Sequence, residues 1–88
     1  MVFADRLIEA TETYGPLCVG IDPHKGRVPE LFGGDTPEGL ERWGLELVKL
    51  VAGRAGVVKP QVAFFERLGW QGMRALDRVS AAAREAGL

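Results

Sequence analysis

The chain has 88 residues, 47% of them hydrophobic and 26% charged, which is the composition of a folded globular domain and, at this length, of one domain at most. Its 11 Lys and Arg are dispersed among 12 Asp and Glu, for a formal net charge of −1, so no basic patch points to a nucleic-acid partner. The single cysteine, Cys18, excludes a disulfide framework within the chain; no apolar run approaches membrane-spanning length, and Asp5 and Arg6 interrupt the place of a signal-peptide core, so a reducing cytoplasm is expected, with no membrane partner.

From Phe3 to Thr13, Phe3, Ala4, Leu7 and Ile8 recur at helical spacing opposite Asp5, Arg6 and Glu9, which predicts a short amphipathic helix. Tyr14-Gly15-Pro16 ends it, because Gly15 can adopt a left-handed cap and Pro16 cannot continue the helix. Leu17 to Ile21 then reads as a buried strand, with Cys18 a small buried hydrophobe inside it, followed at once by Asp22 and Pro23. The polar, glycine-rich segment His24 to Gly34 reads as a loop over the strand ends, with a turn of helix near Val28 to Phe32 packed down by Leu31 and Phe32. Gly33-Gly34 lacks the strand-before, helix-after setting of a dinucleotide fingerprint.

A longer helix begins at Asp35 or Thr36, either of which can cap it, with Pro37 suited to its first turn. Leu40, Trp43, Leu47, Val48 and Val51 form its apolar stripe, with Gly44 allowing close approach of a neighbour. Gly53 to Gly56 returns the chain to a second strand at Val57 and Val58, and strand, crossover helix, strand implies a βαβ unit with parallel strands. Lys59 stands at the carboxyl end of that strand, with Pro60 behind it expected to stop the ladder. Phe64 and Phe65 follow, one facing the mouth of a site and one the core, with nothing in the sequence to say which. The last helix covers roughly Trp70 to Ala86, with Met73, Leu76, Val79 and Ala83 inward and Gly87 as cap, and Leu88 is expected to open a further strand.

Asp22 and Lys59 are the candidate site residues. Ligands of parallel α/β sheets and barrels bind outside the carboxyl ends of the strands, and these two strands end in opposite charges. His24 stands alone in a loop and is left out of the site; Trp43 and Trp70 belong to helical stripes and are expected to pack.

Leu17-Cys18-Val19-Gly20-Ile21-Asp22-Pro23 and, more specifically, Val57-Val58-Lys59-Pro60-Gln61-Val62-Ala63-Phe64-Phe65-Glu66 resemble orotidine 5'-phosphate decarboxylase, in the bacterial branch called type 2. Phe3-Ala4-Asp5-Arg6-Leu7 and Arg84-Glu85-Ala86-Gly87-Leu88 are similar to the same branch, so the resemblance spans the chain. It implies a (β/α)8 TIM barrel, a homodimer, that converts orotidine 5'-monophosphate to uridine 5'-monophosphate and carbon dioxide in pyrimidine biosynthesis, with no metal and no organic cofactor. It further implies that Asp22 contacts the ribose hydroxyls, and that Lys59 contacts the ribose while pairing with a catalytic aspartate, a member of the charge network rather than the proton donor. The family's Asp-x-Lys-x-x-Asp motif, whose lysine is that donor, does not occur in these residues.

The fold expected from all this is α/β: a short N-terminal helix and the first two βα units of a barrel that needs about 250 residues when closed. Residues 1–88 would be the N-terminal portion of one barrel domain, incomplete at its C-terminus and inactive alone. Two rivals remain: a related sugar-phosphate decarboxylase or aldolase-like barrel, against which the Lys59 to Glu66 run argues, and a non-catalytic half-barrel fragment.

Overall fold

The computed structural model describes residues 2–88. In chain order it contains α1 (Phe3–Tyr14), β1 (Cys18–Ile21), a 3-10 turn (Glu30–Phe32), α2 (Pro37–Val51), β2 (Val57–Pro60), α3 (Val62–Glu66) and α4 (Gly69–Glu85). The two strands form one parallel sheet in which Cys18 pairs with Val57, Val19 with Val58, Gly20 with Lys59 and Ile21 with Pro60. The β1, α2, β2 order is thus the βαβ unit that the apolar runs predicted.

Helix α2 forms where its sequence is locally consistent. The Thr36 hydroxyl accepts from the Gly39 N–H at 2.9 Å, Pro37 occupies the first turn, and Lys49 lies in the last turn near the negative end of the dipole. Its inward face buries Leu40, Val48 and Val51, and Gly44 brings α4 close: a Cβ on Gly44 would lie 2.7 Å from a Val79 methyl. The core joins Ile21, Val28, Leu40, Val48, Phe65, Ala75, Val79 and Ala83, with Trp43, Leu47, Val58 and Leu76 packed at its margin. Burial of these side chains is the main stabilising contribution, about 1.5–3 kcal/mol for each large one fully removed from water.

Several details differ from the sequence-based expectation, each for a physical reason. Pro60 does not stop the ladder: it pairs with Ile21, and the Gln61 N–H donates to the Ile21 carbonyl at 3.1 Å. Adjacent residues of a strand direct their N–H groups to opposite edges, so the position at which Pro60 lacks a donor faces away from β1. Cys18 is exposed rather than buried, because it lies on the sheet face opposite the helices. In the 3-10 turn Leu31 is exposed and Val28 takes the core position instead.

The residues after β2 form the short helix α3, which the adjacent pair Phe64-Phe65 gave no period to announce. Phe65 is fully buried and Phe64 only partly so, which assigns the core residue of the pair. The inner face of α4 is Gly72, Ala75, Val79 and Ala83, with Met73 exposed, because α4 packs tightly on α3 and only small residues fit there. A Cβ on Gly72 would stand 2.0 Å from the Phe65 carbonyl oxygen. Finally, Leu88 does not begin a strand. Its N–H donates to the Ala83 carbonyl at 2.9 Å and that of Gly87, at φ 87, to Arg84 at 3.1 Å, the paired bonds of a Schellman cap with Leu88 as its hydrophobic contact.

Helix α1 packs at the amino-terminal end of the sheet, where a Cβ on Gly56 would meet the Ala10 methyl at 2.8 Å. It ends at Gly15, whose φ of 88 with extended ψ is open chiefly to glycine, a positive-φ stop as expected but not a left-handed helical one.

Candidate site at the carboxyl ends of the strands

Asp22 is the first residue after β1, and Lys59 is the penultimate residue of β2, in register with Gly20. Side chains alternate faces along a strand, while paired residues of neighbouring strands share a face. Cys18, Gly20 and Asp22 therefore fall on one face with Val57 and Lys59, and Val19, Ile21, Val58 and Pro60 on the other, against the helices. The position of the Asp22 carboxylate agrees: a Cβ on Gly20 would lie 3.4 Å from Asp22 Oδ2. Both charged residues are exposed, at the same end and on the same face of strands about 4.8 Å apart. Among the described residues neither side chain is held by a hydrogen bond or an ion pair.

The segments around this pair are held from the α3 side. Arg67, directly after α3, makes a two-pronged contact with Asp35, Nη1 to Oδ2 at 2.9 Å and Nη2 to Oδ1, and Nη2 also donates to the Pro23 carbonyl at 3.3 Å. The two charged side chains are 27% and 26% exposed, so solvent screens the pair only partly. The Arg67 hydrogen bonds, assisted by the charges of Arg67 and Lys25, hold the Asp35 carboxyl below the usual carboxylate range against a smaller opposing effect of burial, and raise the Arg67 guanidinium above its own ordinary value. Phe64 lies against the imidazole of His24, ring centroids 4.1 Å apart at 48°.

As expected, Asp22 and Lys59 stand at the same end of adjacent parallel strands. Sequence reasoning missed Arg67, Asp35 and the His24–Phe64 contact. Arg67 and Asp35 are 32 residues apart and carry no local pattern. The signal available was their position: each lies in a connection that follows a strand, Asp35 just before α2 and Arg67 just after α3, where loops of neighbouring βα units meet.

No family model matches the chain. Curated proteins do. It is 51% identical over 85 residues to orotidine 5'-phosphate decarboxylase of Nocardioides sp., a match covering 97% of this chain and 31% of that protein. Against the decarboxylases of Streptomyces coelicolor and Salinispora arenicola the identities are 46% and 45%, with the same coverage. A crystal structure assigned to orotidine 5'-phosphate decarboxylase of Streptomyces avermitilis superimposes with a TM-score of 0.87 at 44% identity, covering 97% of this chain and 30% of that one. The chain therefore spans about a third of the length of the curated relatives it matches. The resemblance read at residues 17–23 and 57–66 holds across nearly the whole chain and concerns the N-terminal part of those proteins.

Proposed function

We propose that the chain is the N-terminal part of an orotidine 5'-phosphate decarboxylase, contributing the first two βα units of a (β/α)8 barrel and one side of its substrate site. The observation that carries this proposal is the shared face and shared end of Asp22 and Lys59, on a chain 51% identical to a decarboxylase of that name. In a closed barrel that face becomes the interior, and strand carboxyl ends surround the substrate.

In this proposal Asp22 accepts hydrogen bonds from the ribose hydroxyls of orotidine 5'-monophosphate, a neutral donor pair suited to an ionised, acceptor-only carboxylate. Lys59 reaches the ribose and pairs with the catalytic aspartate that the family resemblance implies, keeping it ionised, since an opposite charge within about 4–6 Å favours the charged form. That aspartate, set near the substrate carboxylate, raises the energy of the ground state. The cations around it offset the negative charge that collects on the ring carbon as carbon dioxide leaves, and such fixed electrostatics is commonly the largest catalytic contribution. Lys59 is thus a supporting member of the charge network, and the proton comes from another residue of the complete enzyme. The proposal includes a homodimer acting in the cytoplasm on a nucleotide substrate.

The test is turnover by the full-length protein that begins with these residues. Formation of uridine 5'-monophosphate and carbon dioxide from orotidine 5'-monophosphate is expected, with a dimer in sedimentation. Turnover of a sugar-phosphate acid but not of the nucleotide would replace the proposal with the related sugar-phosphate enzyme.

A further inference from the structure

Asp22 has a direction but no visible restraint. Among the described residues no group bonds its carboxylate, and Gly20 beside it leaves the space that a side chain would otherwise fill. Its direction is set by the backbone of the turn that follows, where the His24 N–H donates to the Asp22 carbonyl at 2.8 Å and the Arg27 N–H to the His24 carbonyl at 3.0 Å. Pro23 is fully buried within that turn, and its carbonyl receives Arg67 Nη2. The Arg67 fork is in turn fixed by Asp35, next to the Thr36 cap of α2, and the ring of Phe64, three residues before Arg67, rests on His24.

We infer that Arg67, held by Asp35, is a positioning residue that fixes the Asp22-Pro23-His24 turn and thereby aims the Asp22 carboxylate at its ligand. The inference rests on the decarboxylase proposal for what that ligand is, a ribose diol, but not for the clamp itself. A planar guanidinium suits the task because one rigid fork can grip a carboxylate with both nitrogens while one of them still reaches a backbone carbonyl; an ammonium cannot reproduce that arrangement. The contact also joins the loop after β1 to the segment after β2, so the two strand ends that carry Asp22 and Lys59 are tied across the gap between them.

The experiment uses the full-length protein with Arg67→Met, Arg67→Lys, Asp35→Asn and Asp22→Ala, alone and combined. Arg67→Met is expected to lower kcat/KM for orotidine 5'-monophosphate by about tenfold or more in the Asp22 background, and by a far smaller factor in the Asp22→Ala background, where there is no carboxylate left to aim. Equal losses in both backgrounds would overturn the inference, since a merely structural ion pair gives that result. Arg67→Lys is expected to resemble Arg67→Met more than the parent; full activity in Arg67→Lys would also overturn it. Asp35→Asn, which keeps Arg67 but loosens its anchor, gives an intermediate loss and serves if Arg67→Met does not fold. Amide exchange separates this inference from the decarboxylase proposal. If the parent protein does not turn over the nucleotide, that proposal fails, and the clamp is still decided by exchange at His24 and Arg27: about tenfold faster in Arg67→Met supports it, and unchanged rates overturn it.

Discussion

Lys59 is exposed at the end of β2, so its removal opens no cavity and orphans no buried partner. In the full-length protein Lys59→Ala should leave stability within about 0.5 kcal/mol of the parent, while lowering turnover of orotidine 5'-monophosphate by about 10²–10³-fold, the scale of losing one fixed electrostatic partner. Thermal unfolding and kcat measured side by side check this; activity lost only in proportion to folded protein would make Lys59 structural. Asp35 gives a different signature. Its folded-state pKa lies below the ordinary 3.8 because Arg67 bonds the charged form, so its stabilising contribution is complete above 3.8 and is lost as pH falls through the depressed folded value. The melting-temperature difference between the parent and Asp35→Asn should therefore be constant near neutrality and close in acid; a difference that persists in strong acid would refute the linkage. The placement of Asp22 and Lys59 at one end of the sheet was legible because a charge closing an apolar run is a one-dimensional pattern. Arg67 was not, because its meaning lies wholly in the 32-residue separation that folding closes.

The helices show how far periodicity carries. Helix α2 was readable along its whole stripe and to within one residue at its start, since Pro37 and the Leu40 to Val51 spacing agree, while Asp35 and Thr36 were equal candidates for the cap that Thr36 makes. Helix α4 was readable as a helix but with its inner face turned toward Met73, because bulk was taken as the mark of the core, whereas close approach to α3 selects the small residues Gly72 and Ala75. The short helix α3 has one turn, too little for a period, and its fully buried Phe65 could not be told from Phe64. The two close approaches differ in what they meet. A Cβ at Gly72 collides with the Phe65 carbonyl, fixed backbone, at 2.0 Å, while one at Gly44 meets a Val79 methyl at 2.7 Å. Gly72→Ala should accordingly destabilise the full-length protein by about 1–3 kcal/mol despite the better helix propensity of alanine, and Gly44→Ala by less, as Val79 can change rotamer. Denaturant unfolding of the two variants checks the order, and a stabilised Gly72→Ala would mean that α3 and α4 are not packed as described.

Across the molecule, the open face of the sheet and the apolar side of α1 lack cover: Phe3, Ile8 and Leu17 are exposed together with Cys18. Two parallel strands with helices on one face are not a self-sufficient sheet. Residues 1–88 prepared alone should therefore self-associate or remain molten, and should release no carbon dioxide from orotidine 5'-monophosphate. A monodisperse species with one sharp calorimetric transition, or measurable turnover, would refute this. The α/β class and the parallel pair were legible because two apolar runs flank one amphipathic helix; the Schellman cap at Gly87 and Leu88 was not, since a leucine after a glycine reads equally as a strand start. Pro60 adds a consequence of its own. Its trans peptide leaves the free edge of β2 without a donor at the position nearest the ligand end, while Val58 keeps its donor farther back. A strand laid along that edge can accept from the Val58 N–H at the rear but at the front can only donate to the Pro60 carbonyl, so the seam is one hydrogen bond lighter at the carboxyl end of the sheet. Such a seam is fastened more lightly at one end than at the other, like cloth stitched closely at the hem and loosely at the opening.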